Sequence, residues 1–267
     1  MSNDPNTARS SVNLRAGRIE IQQLPAVLPR RPTLVFLHEG LGSITQWREY
    51  PAHLAARTGC AALIYSRFGY GRSDPVRLPR PLRYMHDEAF VLSELVERTG
   101  ISDHILVGHS DGGSIALIYA ALTPAPGLLG VITEAAHVFC EAKTVAAIER
   151  ARVDFTSGGL RTALVRHHGD NTDAAFFGWC DAWLDPAFRD WDIRPLLGSI
   201  RVPVLALQGA DDEYGTGLQP DAIRQRAGAG AEVRIVPQCG HAPHRDQLRP
   251  TLDAMTAFVE RIGERGA

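Results

Sequence analysis

Three residue types that act together in nucleophilic catalysis each follow a short apolar run of the sequence. Ser110 lies in the stretch LVGHSDGGS, Asp211 and Asp212 lie in QGADDEYG, and His241 lies in QCGHAPH. A serine hydroxyl becomes a strong nucleophile when an imidazole takes its proton and a carboxylate orients that imidazole. The three stretches therefore predict nucleophilic catalysis at Ser110 if the fold brings them together.

The glycines around the serine indicate how its hydroxyl would be presented. Gly108 and Gly112 stand two residues on either side of Ser110, which is the G-x-S-x-G spacing of a nucleophile elbow. In such an elbow a sharp strand-to-helix turn exposes the serine, and the flanking positions have no room for side chains. Here the motif follows an apolar run and opens the apolar segment GGSIALIYAAL. A glycine-bounded turn with an incidental serine is the alternative interpretation.

The two partners of the serine are chosen from loops later in the chain. After a nucleophile elbow the acid comes next and the histidine last, each following a strand. We choose Asp212, three residues past a glycine, and Asp211 is the close alternative. His241 is preferred over His244 because the glycine before it leaves room for the imidazole to turn. A turn-forming aspartate and a surface histidine are the ordinary interpretations, but the order of all three stretches argues against coincidence.

Acyl transfer also needs hydrogen-bond donors for the negative oxygen of the tetrahedral intermediate. One donor should be the backbone N–H of Asp111, directly after the nucleophile. The second should come from the loop HEGLGS, residues 38–43, after the first predicted strand. We choose Gly40, and Glu39 and Leu41 are the alternatives.

The elements that must position these residues alternate along the chain. Continuous apolar runs without strict alternation favour strands that are covered on both faces, as in a parallel sheet. Such runs lie at residues 32–38, 60–66, 104–109, 127–135, 202–209 and 231–237. Between them, residues 47–59 and 85–100 place apolar side chains at helical spacing and end at glycine. Alternating strands and helices predict an α/β protein with a mostly parallel sheet.

One region, from about residue 139 to 197, contains no strand-like run. It holds helix-like pieces and three of the four tryptophans. Phe176, Trp179 and Trp183 are spaced for one helix, where they either pack a small core or line a ligand pocket. His137 follows the strand-like run that precedes this region, so it is a further candidate for substrate contact, with core packing as the alternative. His109 is expected to point away from Ser110 and to pack.

Composition excludes several classes of function. The chain has 267 residues, a formal net charge of −2 and a pI near 6.5, which argues against a basic nucleic-acid-binding surface. No uncharged apolar run is long enough to span a membrane, and residues 1–14 lack the apolar core of a secretory signal. The four cysteines are widely spaced, so we expect reduced thiols in a cytoplasmic protein, with no metal site.

Taken together, these stretches resemble the α/β-hydrolase superfamily over nearly the whole chain. HEGLGS resembles its oxyanion loop, YSRFGYGRSDP the Gly-x-Gly-x-Ser segment, GHSDGG the elbow, GADD the acid loop and CGH the histidine loop. The resemblance implies an eight-stranded, mostly parallel sheet with Ser110, Asp212 and His241 as the triad. It also implies a helical cap after the sixth strand. The expected organisation is thus a core of residues 1–138 and 198–267, with residues 139–197 as the cap.

Two departures from the family pattern stand out. Glu39 occupies a position where the family usually has glycine, and Ser66 replaces the usual aspartate of the Gly-x-Gly segment. The serine nucleophile argues against haloalkane dehalogenases and epoxide hydrolases, which attack with aspartate. We therefore expect a cofactor-free serine hydrolase acting on a small to medium carboxylic ester.

Other activities of the same fold remain alternatives. A carbon–carbon bond hydrolase of aromatic ring-cleavage products shares the fold, triad and cap, although such enzymes usually carry GGGPG where this chain has HEGLGS. Thioesters, lactones and amides need the same chemistry. A ligand-binding protein without turnover is the alternative from a different class. The partner expected is a small-molecule substrate, with neither nucleic acid nor membrane, and the oligomeric state, including a homodimer, stays open.

Overall fold

The structure, a computed structural model, describes residues 9–123 and 125–265. Part of the N-terminal stretch considered above for a targeting signal therefore lies outside the described residues. The described chain forms one sheet of eight strands in the order β1-β2-β4-β3-β5-β6-β7-β8. The strands are β1 Arg9–Leu14, β2 Gly17–Leu24, β3 Thr33–Leu37, β4 Ala61–Tyr65, β5 His104–His109, β6 Leu128–Glu134, β7 Val204–Gly209 and β8 Ala231–Val236.

The six predicted strands are present as β3 to β8, with ends within two residues of the predicted ones, and their pairings are all parallel. The first two strands, which the sequence did not predict, form an antiparallel hairpin, and β2 pairs antiparallel with β4. The predicted fold class, a mostly parallel eight-stranded sheet, is therefore confirmed. In this arrangement the carboxyl ends of β3, β5, β6, β7 and β8 lie at one edge of the sheet.

Helices cover both faces of the sheet and form two apolar layers. Since successive residues of a strand point to opposite faces, Phe36 packs in one layer with Met255 and Val35 packs in the other with Ile115. This double burial explains the continuous apolar runs of the sequence. The helices are α1 Tyr50–Thr58, α2 Tyr84–Arg98, α3 Asp111–Leu122, α4 Ala142–Ser157, α5 Leu160–His168, α6 Thr172–Leu184, α7 Leu218–Arg226, α8 Pro243–Asp246 and α9 Leu248–Arg265.

The segment predicted as the cap contains α4, α5 and α6 and lies between β6 and β7, after the sixth strand. An antiparallel bridge between Phe139 and Asp192 joins its two ends. Inside it the rings of Phe155 and Phe176 stack with centroids 3.7 Å apart, and Trp183 lies 4.7 Å from Phe188. These aromatic side chains thus build a small core of their own.

Three further observations bear on function. Among the described helices none is long and apolar enough to cross a membrane. Across residues 9–123 and 125–265 no three histidine, cysteine, aspartate or glutamate side chains are grouped to hold a metal ion. All four cysteines are described, and each is free of a disulfide.

Candidate active site

Ser110 stands at the turn between β5 and α3 with a strained backbone, φ 52° and ψ −118°. Its N–H donates to the carbonyl of Glu134, 2.8 Å away. The turn is so tight that a Cβ on Gly108 would collide with the carbonyl of Gly112, and one on Gly112 would collide with the carbonyl of Leu37. These close approaches are the physical reason for the glycine spacing, and they hold the serine at the carboxyl edge of the sheet.

His241 bridges the serine and an aspartate. Its Nε2 lies 2.9 Å from Ser110 Oγ, and its Nδ1 lies 2.9 Å from each carboxylate oxygen of Asp212. Asp212 is 2% exposed, whereas the neighbouring Asp211 is exposed and donates its backbone N–H to the carbonyl of Cys239. The structure therefore brings Asp212, and not Asp211, into contact with the histidine.

The loop after β7 prepares Asp212 to stay ionised. Its carboxylate accepts hydrogen bonds from Gln208 Nε2 at 2.5 Å and from the backbone N–H groups of Tyr214 at 2.7 Å and Gly215 at 3.2 Å. Burial alone would raise the pKa of Asp212, but His241 and these N–H groups outweigh burial and lower the pKa well below its usual range. An anionic Asp212 fixes Nδ1 of His241 as the protonated nitrogen and leaves Nε2 free to accept the serine proton.

The loop after β3 lies opposite the elbow. Gly40 lines the space above Ser110 and is packed so closely against the indole of Trp179 that a Cβ at position 40 would collide with the ring. Asp111 is the first residue of α3, so its N–H has no carbonyl acceptor within the helix. Glu39 and Leu41, the alternative oxyanion donors, line the same space.

A cavity of about 240 Å³ opens above Ser110. The sheet edge and its loops supply the polar wall and the cap supplies most of the apolar wall. The apolar side chains from the cap are Ile148, Leu160, Leu164, Trp179 and Trp183. Among the polar lining residues are Glu39, Gln46, His109, Asp111, His137, Glu213, Tyr214 and Arg245. The cavity thus joins one apolar side to one side able to do acid–base chemistry.

Of the four side chains predicted to contact substrate, three line this cavity: His137, Trp179 and Trp183. Phe176 is not among the lining residues. It is fully buried, stacks on Phe155 and lies 6.1 Å from Trp179. Phe176 lies about one helical turn before Trp179 on a similar side of α6. Helical spacing alone therefore did not show which of these side chains reaches the cavity and which packs inside the cap.

His137 lies at the floor of the cavity beside the catalytic candidates. Its ring is 5.7 Å from that of His241 and 5.2 Å from that of Trp183, and its Nδ1 makes no hydrogen bond within the described chain. Burial, reinforced by His241, lowers the pKa of His137 to about 3. His137 is therefore neutral near pH 7 and offers a hydrogen bond to substrate or water rather than a charge.

The carboxylate of Asp111 belongs to a buried polar network behind the elbow. It accepts hydrogen bonds from Tyr84 Oη at 2.5 Å and from Trp183 Nε1 at 3.3 Å, and Arg67 Nη1 lies 3.9 Å away. Burial raises the pKa of Asp111, although the Arg67 guanidinium and the hydrogen bonds oppose this. The residue predicted to offer an oxyanion N–H is thus also tied to the cap through Trp183.

Glu39 and His109 form a pair that the sequence did not predict. His109 is buried, as expected of a packing residue, but its ring lies 5.1 Å from that of His241 and its Nε2 lies 2.7 Å from the His241 carbonyl. Glu39 Oε2 lies 3.6 Å from His109 Nδ1. Burial would raise the pKa of Glu39, but His109 outweighs it and lowers that pKa well below its usual range. The unusual glutamate in a glycine position was the available signal.

Comparisons with known proteins show the family and the fold of the chain. A family model described as the alpha/beta hydrolase family matches residues 34–254. A Serratia proteamaculans (strain 568) protein named 2-succinyl-6-hydroxy-2,4-cyclohexadiene-1-carboxylate synthase is 29% identical over 242 residues, covering 80% of this chain and 88% of the relative. A Mus musculus protein named sn-1-specific diacylglycerol lipase is 25% identical, covering 85% of this chain and 81% of the relative. The solved esterase EaEST from Exiguobacterium antarcticum has a TM-score of 0.76 at 17% identity, covering 95% of this chain and 100% of that one, which shows a shared fold.

Proposed function

This chain belongs to the alpha/beta hydrolase family, and we propose that it is a serine hydrolase that cleaves a small to medium carboxylic ester. The observation that carries the proposal is the continuous hydrogen-bonded chain from Ser110 Oγ through His241 to the buried Asp212, with 2.9 Å at each step. A serine, a histidine and an ionised carboxylate in this geometry form a nucleophile, a general base and its orienting group.

In the proposed mechanism Ser110 Oγ attacks the ester carbonyl carbon while its proton passes to His241 Nε2. The carbonyl oxygen becomes negative in the tetrahedral intermediate, where the N–H groups of Asp111 and Gly40 stabilise it. The carbon–oxygen ester bond then breaks, and His241 gives its proton to the leaving alcohol. Water, deprotonated by the same nitrogen, attacks the acyl-enzyme, the bond between the acyl carbon and Ser110 Oγ breaks, and His241 returns its proton to Oγ as the acid leaves. Asp212 stays ionised and stabilises the imidazolium at both stages.

The cavity indicates which side of the substrate goes where. Leu160, Leu164 and Trp179 form an apolar wall on the cap, which suits an uncharged acyl chain. His241 must protonate the leaving oxygen, so the alcohol portion leaves on the histidine side. A volume of about 240 Å³ suits a short to medium acyl group better than a long lipid chain.

The reaction that the synthase relatives are named for fits this cavity less well than ester hydrolysis does. Their printed name describes a product with a succinyl group and a carboxylate. Around the nucleophile of this chain the lining offers three carboxyl groups, Glu39, Asp111 and Glu213, and one guanidinium, Arg245. Glu39 and Asp111 lie beside His109 and Arg67, and the lining offers the single guanidinium of Arg245 for the two anionic groups that this name implies. Ester hydrolysis is therefore our proposal in preference to that reaction.

Active-site labelling tests the proposal. A fluorophosphonate should label the wild-type protein once, and Ser110→Ala should abolish both labelling and turnover of p-nitrophenyl butyrate, with a loss of about 10⁶-fold in kcat. Ser114→Ala is the matched control, because this hydroxyl lies one turn further along α3 and donates to the carbonyl of His137, and it should keep the label.

Three outcomes would contradict the proposal. Turnover by Ser110→Ala near the wild-type rate would remove the serine mechanism. Absence of labelling in the wild-type protein would favour a binding protein without turnover. Hydrolysis of vinylogous diketones with no hydrolysis of any ester would favour the carbon–carbon bond reaction.

A further inference from the structure

A second cavity, here called the side chamber, adjoins the cavity above Ser110. Its volume is about 190 Å³. It shares part of its wall with the first cavity, namely Glu39, Gln46, His109, Ala242 and Arg245. Its remaining lining residues are Trp47, Arg48, His167 and His244. The two spaces are therefore neighbours, separated by the side chains that they share.

Charge distinguishes the side chamber from the cavity above the nucleophile. Two arginines, Arg48 and Arg245, and one acidic residue, Glu39, line the side chamber, and both arginines are exposed on their outer side. The lining thus has two guanidinium groups for one carboxyl group, whereas the first cavity has more carboxyl groups than guanidinium groups. Arg245 shares its charge with Asp246, which lies 3.4 Å away on the outside. A monoanion fits this charge better than a phosphate dianion does.

The imidazoles of the side chamber each keep one nitrogen free. His109 Nε2 lies 2.7 Å from the carbonyl of His241, His167 Nδ1 lies 2.7 Å from Thr45 Oγ1, and His244 Nδ1 lies 2.9 Å from Glu134 Oε2. In the described part of the chain, the second nitrogen of each ring has no hydrogen bond.

Two buried polar atoms in the wall shared with the first cavity also lack a hydrogen bond in the described chain. His109 Nδ1, on a side chain 5% exposed, lies 3.6 Å from Glu39 Oε2 and makes no hydrogen bond. Gln46 Oε1 is buried and also makes no hydrogen bond in the described chain. Buried polar groups without a partner in the protein are satisfied by water or by a ligand. The chamber is therefore built for a polar occupant.

The side chamber lies on the side where the alcohol would leave. His241 protonates the leaving oxygen in the proposed mechanism, and the residues that follow it along the chain, Ala242, His244 and Arg245, form a wall of the chamber. The apolar acyl wall comes from the cap. An alcohol portion attached at the ester oxygen therefore points toward Arg245.

We propose that the side chamber is a subsite for a carboxylate carried by the alcohol portion of the substrate, bound by Arg48 and Arg245. This inference rests on the proposed ester hydrolysis and names the class of ester that the site prefers. Guanidinium and carboxylate make two parallel charge-assisted hydrogen bonds, which explains the use of arginine at this position.

A matched pair of substrates tests the subsite. The butyrate ester of 4-(hydroxymethyl)benzoate carries the carboxylate, and the butyrate ester of 4-(hydroxymethyl)benzamide is its neutral counterpart with a similar leaving alcohol. The ratio of their kcat/KM values cancels general effects on catalysis. We expect the wild-type enzyme to prefer the anionic ester by about twofold to fivefold, which corresponds to the upper part of the range for an exposed ion pair. Arg48→Gln and Arg245→Gln should each bring the ratio close to one.

Arg249→Gln is the control, since Arg249 is an exposed arginine of α9 outside both cavities, and it should leave the ratio at the wild-type value. A wild-type ratio of one or less, with the neutral ester turned over, would overturn the subsite but not the hydrolase. A preference that survives in both arginine variants would place the carboxylate elsewhere and also overturn it. No turnover of either ester, with no phosphonate labelling of Ser110, would instead remove the proposed function.

Discussion

Replacing Asp212 by asparagine tests how the site holds its histidine. In the structure the carboxylate accepts hydrogen bonds from His241 Nδ1, from Gln208 Nε2 and from the backbone N–H of Tyr214. Asparagine has nearly the same shape but only one acceptor oxygen, and its NH₂ group would face a donor. The imidazole relieves this conflict by moving its proton to Nε2, which then points its N–H at Ser110.

The size of the effect follows from this change of tautomer. A histidine with its proton on Nε2 cannot accept the serine proton, and the known cost of this arrangement in a serine protease triad is about 10⁴-fold in kcat, or about 5 kcal/mol. Loss of hydrogen bonds to a charged acceptor should lower the free energy of unfolding by a further ~1.5–3 kcal/mol. We expect Asp212→Asn to be folded, less stable and almost inactive.

The assay is the kcat for p-nitrophenyl butyrate, with circular dichroism to confirm folding. Asp211→Asn is the matched control, because Asp211 is exposed and uses only its backbone N–H in the loop, and it should keep its kcat within about twofold of wild type. A kcat for Asp212→Asn within tenfold of wild type would refute the reasoning. A larger loss in Asp211→Asn than in Asp212→Asn would assign the acid role to Asp211.

Three other predictions concern the surroundings of the nucleophile. Gly112→Ala should lower the free energy of unfolding in urea by ~1–3 kcal/mol because its Cβ would collide with the Leu37 carbonyl. Gly159→Ala, where the Cβ would meet open space, should change stability by less than ~0.5 kcal/mol, and equal losses would contradict the packing argument. Since the folded-state pKa of Glu39 is lowered, the stabilisation from its carboxylate is complete above its ordinary pKa of about 4 and is lost as the pH falls further. The urea midpoint of Glu39→Gln should therefore fall less steeply with acid than that of the wild-type protein, and equal slopes would contradict this. Because His137 titrates at about 3, the kcat profile of His137→Gln should keep its shape between about pH 5 and 8, and a missing or shifted limb would show that His137 carries the proton.

The sheet and the three catalytic candidates were predictable because their signals are local. Strands covered on both faces leave continuous apolar runs, and β3 to β8 were all recognised from such runs. Gly108 is required by backbone contacts within the turn itself and Gly112 by the backbone of the neighbouring strand β3, and both requirements leave a visible glycine in the motif. The choice between Asp211 and Asp212 was harder, since the two are adjacent and only tertiary contacts decide which of them is buried.

The hairpin of β1 and β2 shows where local signals fail. β1 lies at the edge of the sheet and is largely exposed, so its sequence RSSVNL needs no apolar face. In β2 only Ile19 and Ile21 alternate as buried residues, which is too short a pattern to separate from a loop. The hairpin joins the sheet through the pairing of β2 with β4 and adds Leu14, Ile19 and Ile21 to the core.

The pairing of Glu39 with His109 could not be predicted from the sequence for another reason. Glu39 lies in the loop after β3 and His109 is the last residue of β5, 70 positions later, and the two meet because β3 and β5 are neighbours in the sheet. From the sequence alone, a glutamate in this loop is only a departure from the family pattern. Beside His109 its charge is balanced, so the departure from the family pattern is compatible with a stable site.

The same reasoning applies to Asp111, the buried carboxyl group directly after Ser110. A buried carboxyl group costs free energy unless hydrogen bonds and opposite charge compensate for it. Here Tyr84 comes from α2, Trp183 from the cap and Arg67 from the loop after β4, so three separate elements converge on one side chain. Because the N–H of Asp111 is also a proposed oxyanion donor, a shift of Trp183 would be transmitted directly to the oxyanion site. The buried network therefore ties the cap to the proposed oxyanion site, where the proposed mechanism requires precisely placed donors.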